Sequence, residues 1–439
     1  MAAPDEILYA WGPGESRLGL MSGGRVVEIA IARPALVAGA VFLGRVAEMA
    51  PALDAAFVEL GLERPGFLPG AAALGISRGQ AVLVQVRADA QGGKGPVLTA
   101  RPTLAGRWLA FAPLAPGIAL PPDLPPDAAE RLTVLAARLA EPGGGLLLTD
   151  AAAGRGEDEL AAELESLRAE WAAIDQARAQ ARAPALLWRP DPLARLLAAH
   201  PGVARVRVDD AAAYAQARRR FGPLVEHQRG GEVAGEVDEA LDAALAPVVA
   251  LPGGGRLAIE PTLALTAIDV DSGGGRPAEA NRAAVEAIAR QLRLRAIGGQ
   301  VAVDFIPGGG KASLFKLAGA LKRAVAADPV PTHVFGVGPL GLVELTRERR
   351  GPALAELFCE RDSRRTAAAA ATAALRRAVA EAAHRPGRAL ALTLAPEVTA
   401  ALARLPEAVA EAEARIGRKL TLRAEPGRGR DDILVEDLP

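Results

Sequence analysis

Two acidic residues follow a strongly apolar run near the middle of the chain. The stretch LALTAIDVDSGGG, residues 263–275, places Asp269 and Asp271 at the end of a predicted strand and directly before three glycines. A third aspartate, Asp304, lies within the apolar run VAVDFI, residues 301–306. One Asp in such a place more often caps a strand or a turn. Two such acids on one edge could instead bind a divalent cation beside a phosphate, for which the glycines would leave room.

The segment between the two apolar runs predicts how the aspartates are brought together. Residues 277–299 have helical spacing and a glycine stop signal, with apolar side chains at Val285, Ile288, Ala289 and Leu292. A strand–helix–strand unit normally leaves its strands parallel, with both carboxyl ends at one edge of the sheet. We therefore expect Asp269 and Asp304 to face one crevice and to share a metal ion. Because Asp304 lies between apolar residues, its ionisation should also require compensation by a metal or by hydrogen bonds.

Two other acidic motifs are similar to this stretch. A calcium-binding loop would begin at Asp269, but its third ligand position is Gly273 and its last is Ala280, so that match fails. The aspartyl phosphatase pattern, a hydrophobic strand ending in D-x-D, fits Asp269 and Asp271 better. A metal-dependent phosphatase with Asp269 as its nucleophile is therefore an alternative, although it leaves the rest of the chain unexplained.

The composition limits the class of protein. The chain has 439 residues, enough for several domains, and a net charge of −1, so it has no overall positive field to attract nucleic acid. Cys359 is the only cysteine, which excludes an internal disulfide framework and a zinc site built from several cysteines. No charge-free apolar stretch reaches the roughly 18 residues of a membrane span. We therefore expect a cytoplasmic protein without a membrane span.

Strand and helix patterns change along the chain. Short alternating apolar runs between residues 38 and 104 predict a small barrel of the five-stranded OB type. The Pro-rich stretch 115–126 is typical of a linker. Strand and helix patterns alternate over residues 185–251, and residues 364–439 form an α+β segment that could fold separately. These patterns predict a multidomain α/β protein.

Several long motifs resemble one known family. ALTAIDVDSG, NRAAVEAIARQLRLRAIGGQVAVDFI and GLVELTRERR are similar to the catalytic core of the ribonuclease E/G family. Upstream, LGRVAEMAPALDAAFVELGLERPGFLP and VQVRADAQGGKGPVLTARPTLAGRWLAFAP resemble that family's OB-fold RNA-binding domain. The resemblance extends from about Ile7 to about Arg350.

The resemblance implies a domain order. An OB-fold β-barrel is inserted near the N-terminus of a mixed α/β catalytic core, which has RNase H-like and DNase I-like parts, and a small α+β domain follows. The implied boundaries are 1–36 and 185–245 for the RNase H-like subdomain, 37–114 for the OB-fold, 115–184 for a 5′-sensor-like region, 246–355 for the DNase I-like catalytic subdomain and 356–439 for the C-terminal domain.

The resemblance also implies a function. Members of this family are endoribonucleases that cut single-stranded RNA with Mg²⁺ and leave a 5′-phosphate and a 3′-hydroxyl; Mn²⁺ is a second candidate cofactor. A ribosomal RNA precursor or a messenger RNA would be the substrate. Asp269 and Asp304 match the two metal-binding aspartates, and Asp271 falls where the family usually has an Asn that orients the reacting phosphate. The additional carboxylate could tighten metal binding or repel the phosphate.

RNA-contacting residues are expected in two regions. In the barrel, Phe57 and Phe67 match base-stacking aromatics of the family, although a Phe in a strand, taken alone, is more often part of a core. Lys94, between glycines in GGKG, matches a lysine that could contact a phosphate, whereas a solvated turn lysine is the ordinary alternative. Arginines of RQLRLR and TRERR predict a local basic surface, or simply a charged solvent face: Arg290, Arg293 and Arg347, with Arg349 and Arg350.

Some positions depart from the family pattern. The family commonly has a Cys-x-x-Cys that links two chains through zinc, but the corresponding stretch FCERDSRR contains Cys359 alone. We therefore expect no structural zinc and no zinc-linked assembly, while a homodimer formed without zinc stays open. The loop after Asp271 is shorter than usual, and Pro307 replaces a second acid. An RNA-binding homologue with reduced or lost catalysis is therefore a further alternative.

The stretch GGGLLLTD, residues 143–150, resembles the strand that in this family grips the 5′-terminal monophosphate of the RNA through an Arg-Thr pair. Thr149 occupies the Arg position and Asp150 the Thr position. This exchange removes charge-assisted hydrogen bonds and adds repulsion, so the pocket should not attract a phosphate. If the alignment slips, a nearby arginine such as Arg155 is the alternative. We expect an enzyme that is indifferent to the 5′ end.

Overall fold

The structure, a computed structural model, describes residues 3–91, 93–140, 143–308, 310–360, 364–385 and 387–438. The chain divides into two compact units, one made of residues 35–203 and the other of residues 1–34 together with 204–439. No helix in the described ranges combines the length and the apolar character needed to cross a membrane.

The elements follow in chain order. Residues 1–34 contain β1 (Glu6–Ala10), β2 (Ser16–Ser22) and β3 (Arg25–Ala32). Residues 35–203 contain β4 (Val41–Ala50), β5 (Ala55–Glu59), β6 (Gly66–Pro69), β7 (Ala81–Ala88), β8 (Val97–Thr99), β9 (Leu104–Ala105), β10 (Leu109–Ala112), β11 (Gly117–Ala119), α1 (Pro126–Leu139), β12 (Gly145–Leu148), α2 (Glu157–Gln180), β13 (Ala185–Trp188) and α3 (Pro192–Ala199).

The remaining residues contain β14 (Arg205–Val208), α4 (Ala211–Phe221), β15 (Val225–His227), α5 (Glu232–Leu245), β16 (Val248–Ala250), β17 (Arg256–Pro261), β18 (Thr266–Asp271), α6 (Pro277–Leu294), β19 (Gly299–Asp304), α7 (Gly310–Val325), β20 (Thr332–Val337), β21 (Val343–Arg347), α8 (Leu354–Phe358), α9 (Ala367–His384), β22 (Ala389–Leu394), α10 (Pro396–Leu402), α11 (Pro406–Ile416), β23 (Leu420–Ala424) and β24 (Leu434–Leu438).

The unit formed by residues 35–203 begins with a closed five-stranded barrel. Its strands follow the order β4-β5-β6-β8-β7, and β7 pairs with β4 to close the ring, while β13 adds to the other edge of β4. Alternate residues of these strands fill the interior, among them Phe42, Val58, Leu68, Val84 and Leu98. The predicted barrel is therefore confirmed, and its architecture is consistent with an OB-fold.

A second sheet of the same unit has the order β11-β12-β10-β9 and packs against α1 and α2. The expectation of a bare linker over residues 115–126 is wrong, because Gly117–Ala119 forms β11 and pairs in parallel with β12. A proline-rich stretch can still contribute a short edge strand at the residues between its prolines.

The other unit begins with a sheet that the chain leaves and later rejoins. The order is β15-β14-β1-β2-β3, in which β1, β2 and β3 are antiparallel while β14 joins β1 in parallel. Residues from both sides of the 35–203 segment therefore share one sheet.

The sheet that carries the acidic residues has the order β16-β17-β18-β19-β21-β20. The crossover through α6 makes β18 and β19 parallel neighbours, as the sequence predicts, and the other pairings are antiparallel. Alternate strand residues pack with α6 and α7 into one core, including Ile268, Val303, Ile288, Leu292 and Leu321. The opposite face carries Asp269 and Asp304 and also apolar side chains, including Phe335, which is 70% exposed.

The C-terminal segment contains the sheet β23-β22-β24 with α9, α10 and α11 around its own apolar core. It is also joined to the N-terminal strands by charged side chains. Glu15 is fully buried, and its carboxylate accepts hydrogen bonds from Arg17 Nε at 2.6 Å, Arg33 Nε at 2.5 Å and Thr372 Oγ1 at 3.4 Å. Arg376 of α9 donates to the Glu15 carbonyl at 3.3 Å. The segment is thus attached through a buried ion network.

Candidate active site

Asp269 and Asp304 lie directly opposite each other at the carboxyl ends of two parallel strands. The register of β18 and β19 pairs Asp269 with Asp304, so their backbones are separated by about the 4.8 Å spacing of neighbouring strands. Both residues are exposed, whereas Ile268 and Val303 beside them are buried. The two carboxylates therefore project from the same open face of the sheet.

Asp304 is not enclosed by its apolar neighbours in the sequence. Val303 is 0% exposed and Phe305 is 2% exposed, but Asp304 points to the other side of the strand and is exposed. The expectation that Asp304 lies in apolar surroundings is wrong, because side chains alternate between the two faces of a strand. Its carboxylate is accessible to solvent and to a ligand.

Asp271 is held by partners of its own. Arg256, its neighbour on β17, donates from Nη2 to Oδ2 at 2.7 Å, and the Gly273 backbone N–H donates to Oδ1 at 2.7 Å. The Gly273 hydrogen bond, followed by the Arg256 guanidinium, lowers the pKa of the Asp271 carboxyl. The additional negative charge of this position is thus balanced within the protein.

The glycines after Asp271 allow two loops to approach each other closely. Gly273 has a φ of +56°, and a Cβ on it would lie 2.0 Å from the carbonyl oxygen of Gly254. A Cβ on Gly275 would lie 2.9 Å from the carbonyl oxygen of Gly253. The sequence suggested that these glycines leave room for a phosphate, but the contacts of Gly273 and Gly275 show that these two allow the backbones to pack closely, whereas a Cβ on Gly274 would meet no atom within 4 Å.

Asn281 is a positioning residue that the sequence reasoning missed. It is 5% exposed, and its amide exchanges two hydrogen bonds with the backbone of Ile306: Nδ2 donates to the carbonyl at 2.9 Å, and the Ile306 N–H donates to Oδ1 at 3.0 Å. These bonds fix the chain two residues after Asp304. The sequence feature that could have identified Asn281 is its polar side chain on the apolar face of α6, four residues before Val285.

The donor set suits a cation that keeps most of its water. No group of three or more His, Cys, Asp or Glu side chains that could hold a metal ion occurs in the part of the chain that the structure describes. Mg²⁺ is commonly held by one or two carboxylates together with water and substrate phosphates. The Asp269–Asp304 pair fits such a site, but not a metal cage built entirely from protein side chains.

The two predicted stacking aromatics lie side by side on the outside of the barrel. Phe57 and Phe67 are opposite each other on β5 and β6, with ring centroids 5.9 Å apart at an interplanar angle of 61°. Both rings are half-buried, whereas the adjacent Val58 and Leu68 are inside the barrel. The two rings are therefore not part of the barrel core.

Lys94 is exposed in the turn between β7 and β8, near the strand that carries Phe67. The Phe67 N–H donates to the carbonyl of Pro96 at 2.8 Å. Gly95 lies against Pro65, since a Cβ on Gly95 would be 1.9 Å from the Pro65 carbonyl oxygen. The backbone that follows Lys94 therefore lies against the strand that carries Phe67.

Two of the five arginines expected on a basic surface are internal. Arg293 is 3% exposed and donates from Nε to Glu28 at 2.9 Å. Arg347 is 6% exposed and donates to Asp328 at 2.8 Å and to the Ile297 carbonyl at 2.8 Å. The expectation that these two guanidinium groups form an exposed surface for RNA is wrong, because neighbouring acids and carbonyls hold them inside the protein.

Arg290 is neither fully buried nor fully exposed. It is half-buried and donates from Nη2 to the carbonyl of Val26 at 3.0 Å. Its side chain lines a cavity beside α6. The arginines of RQLRLR therefore do not share one exposed face.

Thr149 and Asp150 occupy the end of β12 and the turn that follows it. The Thr149 N–H and its hydroxyl donate to the carbonyl of Trp108 at 2.9 Å and 3.0 Å, and Asp150 is exposed. Arg155 stacks over the Trp108 ring with its guanidinium 5.0 Å from the centroid, and pairs with Glu159 at 3.3 Å. The Thr149 hydroxyl hydrogen is thus already used within the protein.

The zinc-free expectation concerns Cys359 and the residues after it. Cys359 is half-buried, and burial raises the pKa of its thiol. Residues 361–363 of the stretch FCERDSRR lie outside the described residues. The absence of a zinc link stays a prediction.

Comparison with known proteins identifies the family of this chain. A model of the ribonuclease E/G family matches residues 103–350, which include both aspartates. The chain belongs to the ribonuclease E/G family. It is 35% identical to a ribonuclease E of Nostoc sp. over 378 residues, which are 77% of this chain and 55% of that protein.

Other members of the ribonuclease E/G family give similar matches. The chain is 30% identical to ribonuclease G of Escherichia coli (strain K12) over 400 residues, which are 81% of this chain and 82% of that protein. It is 33% identical to ribonuclease E of Synechocystis sp. over 374 residues, 76% of this chain and 55% of that protein. The chain thus spans about half the length of the two ribonuclease E relatives and most of ribonuclease G.

Proposed function

We propose that this chain is an endoribonuclease that cuts single-stranded RNA, such as a ribosomal RNA precursor or a messenger RNA. The observation that carries the proposal is the pair Asp269 and Asp304, exposed and in register on adjacent parallel strands of a ribonuclease E/G family member. An acidic pair that faces solvent contributes little to folding, so its placement favours a ligand.

In this proposal Asp269 and Asp304 hold Mg²⁺, with Mn²⁺ as an alternative. The bound cation would activate water and neutralise charge on the phosphodiester oxygens, so that cleavage leaves a 5′-phosphate and a 3′-hydroxyl. The protein contributes fixed geometry: paired strands orient both carboxylates, and Asn281 holds the backbone after Asp304. Arg256 balances Asp271 and so reduces its repulsion toward the RNA phosphate.

The barrel would act as an OB-fold that holds the RNA. Phe57 and Phe67 would stack on bases, each worth roughly 1–3 kcal/mol, and Lys94 would contact the backbone nearby. The sheet of β1–β3, β14 and β15 would be the RNase H-like part, and the sheet of β16–β21 the DNase I-like part. We also propose that Thr149 and Asp150 form a degenerate 5′-sensor that does not attract a phosphate.

A catalytically reduced RNA-binding homologue is the second candidate. Asp271 favours it, because its carboxylate is committed to Arg256 and Gly273 and therefore cannot orient a phosphate as a free amide could. The same commitment gives no support to a D-x-D phosphatase, in which Asp271 would have to serve as a free acid.

The decisive experiment is cleavage of a labelled, A/U-rich single-stranded oligonucleotide by the purified chain. We expect internal cutting with Mg²⁺ or Mn²⁺, no cutting in EDTA, and products with a 5′-phosphate and a 3′-hydroxyl. Binding of the oligonucleotide without cutting under every metal condition would support the second candidate. Equal cutting in EDTA and in Mg²⁺ would contradict the metal assignment.

A further inference from the structure

A cavity of about 380 Å³ lies beside α6. Its walls come from the turn between β2 and β3, from β16 with the residues after it, and from α6. This volume is within the range of sites that hold small organic molecules. Asp269 and Asp304 do not line it, so the proposed active site does not account for it.

One guanidinium at this cavity is held by a rigid turn. Gly23 and Gly24 have φ values of +57° and +73°, and Ser22 pairs with Arg25 across them. Two consecutive positive φ values at the centre of a two-residue hairpin are typical of a type I′ turn. Arg25, the first residue of β3, is thereby fixed in the wall of the cavity, and its side chain is exposed.

The second guanidinium comes from α6. Arg290 donates from Nη2 to the Val26 carbonyl, but its buried Nε has no hydrogen-bond partner among the described residues. Within the same residues, no carboxylate forms an ion pair with Arg25 or Arg290. Burial, and to a lesser degree the nearby positive charge of Arg25, lower the pKa of Arg290. Two adjacent guanidinium groups that form no ion pair among these residues are suited to an oxyanion.

The rest of the cavity is mainly apolar. The lining includes Val27, Val249, Leu251, Ala283 and Ala287. A sugar phosphate would leave hydroxyl groups without partners against these walls, which is unfavourable, whereas a nucleobase presents flat apolar faces. Glu286, which also lines the cavity, can accept a hydrogen bond from an amino group on the edge of the base.

We propose that this cavity binds a free nucleoside monophosphate, with its phosphate between Arg25 and Arg290 and its base against the apolar wall. The site is separate from the RNA-cutting function. Because the ligand contacts neither aspartate, binding does not require a metal ion.

The test is calorimetric titration of the full chain in EDTA with three probes: AMP, adenosine and inorganic phosphate. We expect AMP to bind at one saturable site, and adenosine and inorganic phosphate to bind at least tenfold more weakly, because each lacks one half of the recognised groups. Failure of AMP to saturate, or binding of inorganic phosphate as tight as that of AMP, would overturn the proposal.

Variants locate the site. Arg25→Gln should weaken AMP binding at least tenfold with an unchanged thermal transition, since Arg25 is exposed. Arg282→Gln is the matched control, because Arg282 is an exposed arginine of α6 that does not line the cavity. Unchanged AMP affinity in Arg25→Gln, or an equal loss in the control, would refute the site. Asp304→Asn should bind AMP normally, so the outcome does not depend on catalysis.

Discussion

Two groups of carboxylates in the same unit differ in almost every physical respect. Asp269 and Asp304 are exposed, lie in register on parallel strands, and form no ion pair within the described residues. Glu15 is fully buried and accepts hydrogen bonds from Arg17, Arg33 and Thr372. A buried charge is unfavourable unless it is paired, whereas an exposed charge is solvated by water and stays available to bind a ligand. The comparison separates an acid used for stability from acids available for chemistry.

The same distinction holds for other residue types. Phe42 fills the barrel interior, while Phe57 and Phe67 face outward on the same barrel. Arg293 donates a hydrogen bond to Glu28, while Arg25 has no such acidic partner among the described residues. Groups that are paired inside the protein belong to the fold, and groups left unpaired at the surface are the ones to test for function.

The largest expected effect is on catalysis by Asp304→Asn. In the proposed function, loss of one carboxylate of the Asp269–Asp304 pair removes several kcal/mol of transition-state stabilisation, so cleavage should fall by at least about a thousandfold. The free energy of unfolding should change by less than about 0.5 kcal/mol, because the side chain is exposed. Oligonucleotide cleavage and thermal unfolding are the two measurements.

Glu260→Gln is the control for this variant. Glu260 is an exposed acid on β17, opposite Ala267 in the register, and should tolerate neutralisation. Cleavage by Asp304→Asn at the wild-type rate would break the comparison between the two groups of carboxylates.

Glu15→Gln should give the opposite result. Removing a buried partner leaves Arg17 and Arg33 undercompensated, and the free energy of unfolding should fall by about 3–5 kcal/mol. Cleavage per folded molecule should be retained. Denaturant unfolding measures the loss, with Glu407→Gln on the exposed face of α11 as the neutral control.

The effect of Glu15 should depend on pH. Burial alone would raise the pKa of the Glu15 carboxyl, but Arg17 and Arg33 outweigh it and lower the pKa. The stability that Glu15 contributes is therefore complete above the unfolded-state pKa of about 4.3, and is lost as the pH falls through the lower folded-state pKa. The difference between the wild type and Glu15→Gln should shrink below about pH 4. A constant difference at all pH values would assign the effect to packing.

Phe57→Ala should weaken RNA binding by the stacking energy of one base. The expected loss is about 1–3 kcal/mol, a roughly 5- to 150-fold increase in Kd for a single-stranded oligonucleotide. Phe42→Ala in the same barrel should instead destabilise the fold by about 3–5 kcal/mol. If Phe57→Ala loses its thermal transition but binds normally per folded molecule, the ring has a structural role.

The smallest expected effect concerns the 5′ end of the RNA. Since the Thr149 hydroxyl already donates to Trp108 and Asp150 is anionic, matched oligonucleotides with a 5′-monophosphate or a 5′-hydroxyl should be cut at similar initial rates. A preference for the monophosphate of tenfold or more, about 1.4 kcal/mol, would show that a nearby arginine such as Arg155 recognises the phosphate.

Periodicity and chain order predicted much of the fold. The helical spacing of residues 277–299 predicted the crossover from β18 through α6 to β19. This crossover places Asp269 and Asp304 at the same edge of the sheet. The barrel followed from short alternating runs. These features are encoded locally, in the repeat of apolar positions and in the length of the connections.

What the sequence did not reveal depends on the partners that each side chain meets. Arg293 and Arg347 appeared suited to a surface because their acidic partners, Glu28 and Asp328, are distant in sequence. Gly273 appeared to leave space because the loop that it packs against, around Gly254, belongs to another strand connection. β11 was hidden among prolines because its pairing with β12 is not local. Long-range pairing of this kind has no periodic signal.

The sheet β15-β14-β1-β2-β3 combines strands that precede residues 35–203 with strands that follow them. This arrangement sets an order of events during synthesis. β1 can pair with β2 as soon as the hairpin emerges, but its other edge pairs with β14, which is made only after the whole of residues 35–203. At 5–20 residues per second, that edge stays open for roughly ten to thirty seconds. Open apolar strand edges are sites of incorrect pairing between chains. Residues 35–203 must therefore fold rapidly, so that β14 can pair with β1. This rapid folding is a condition for correct assembly of the nascent protein.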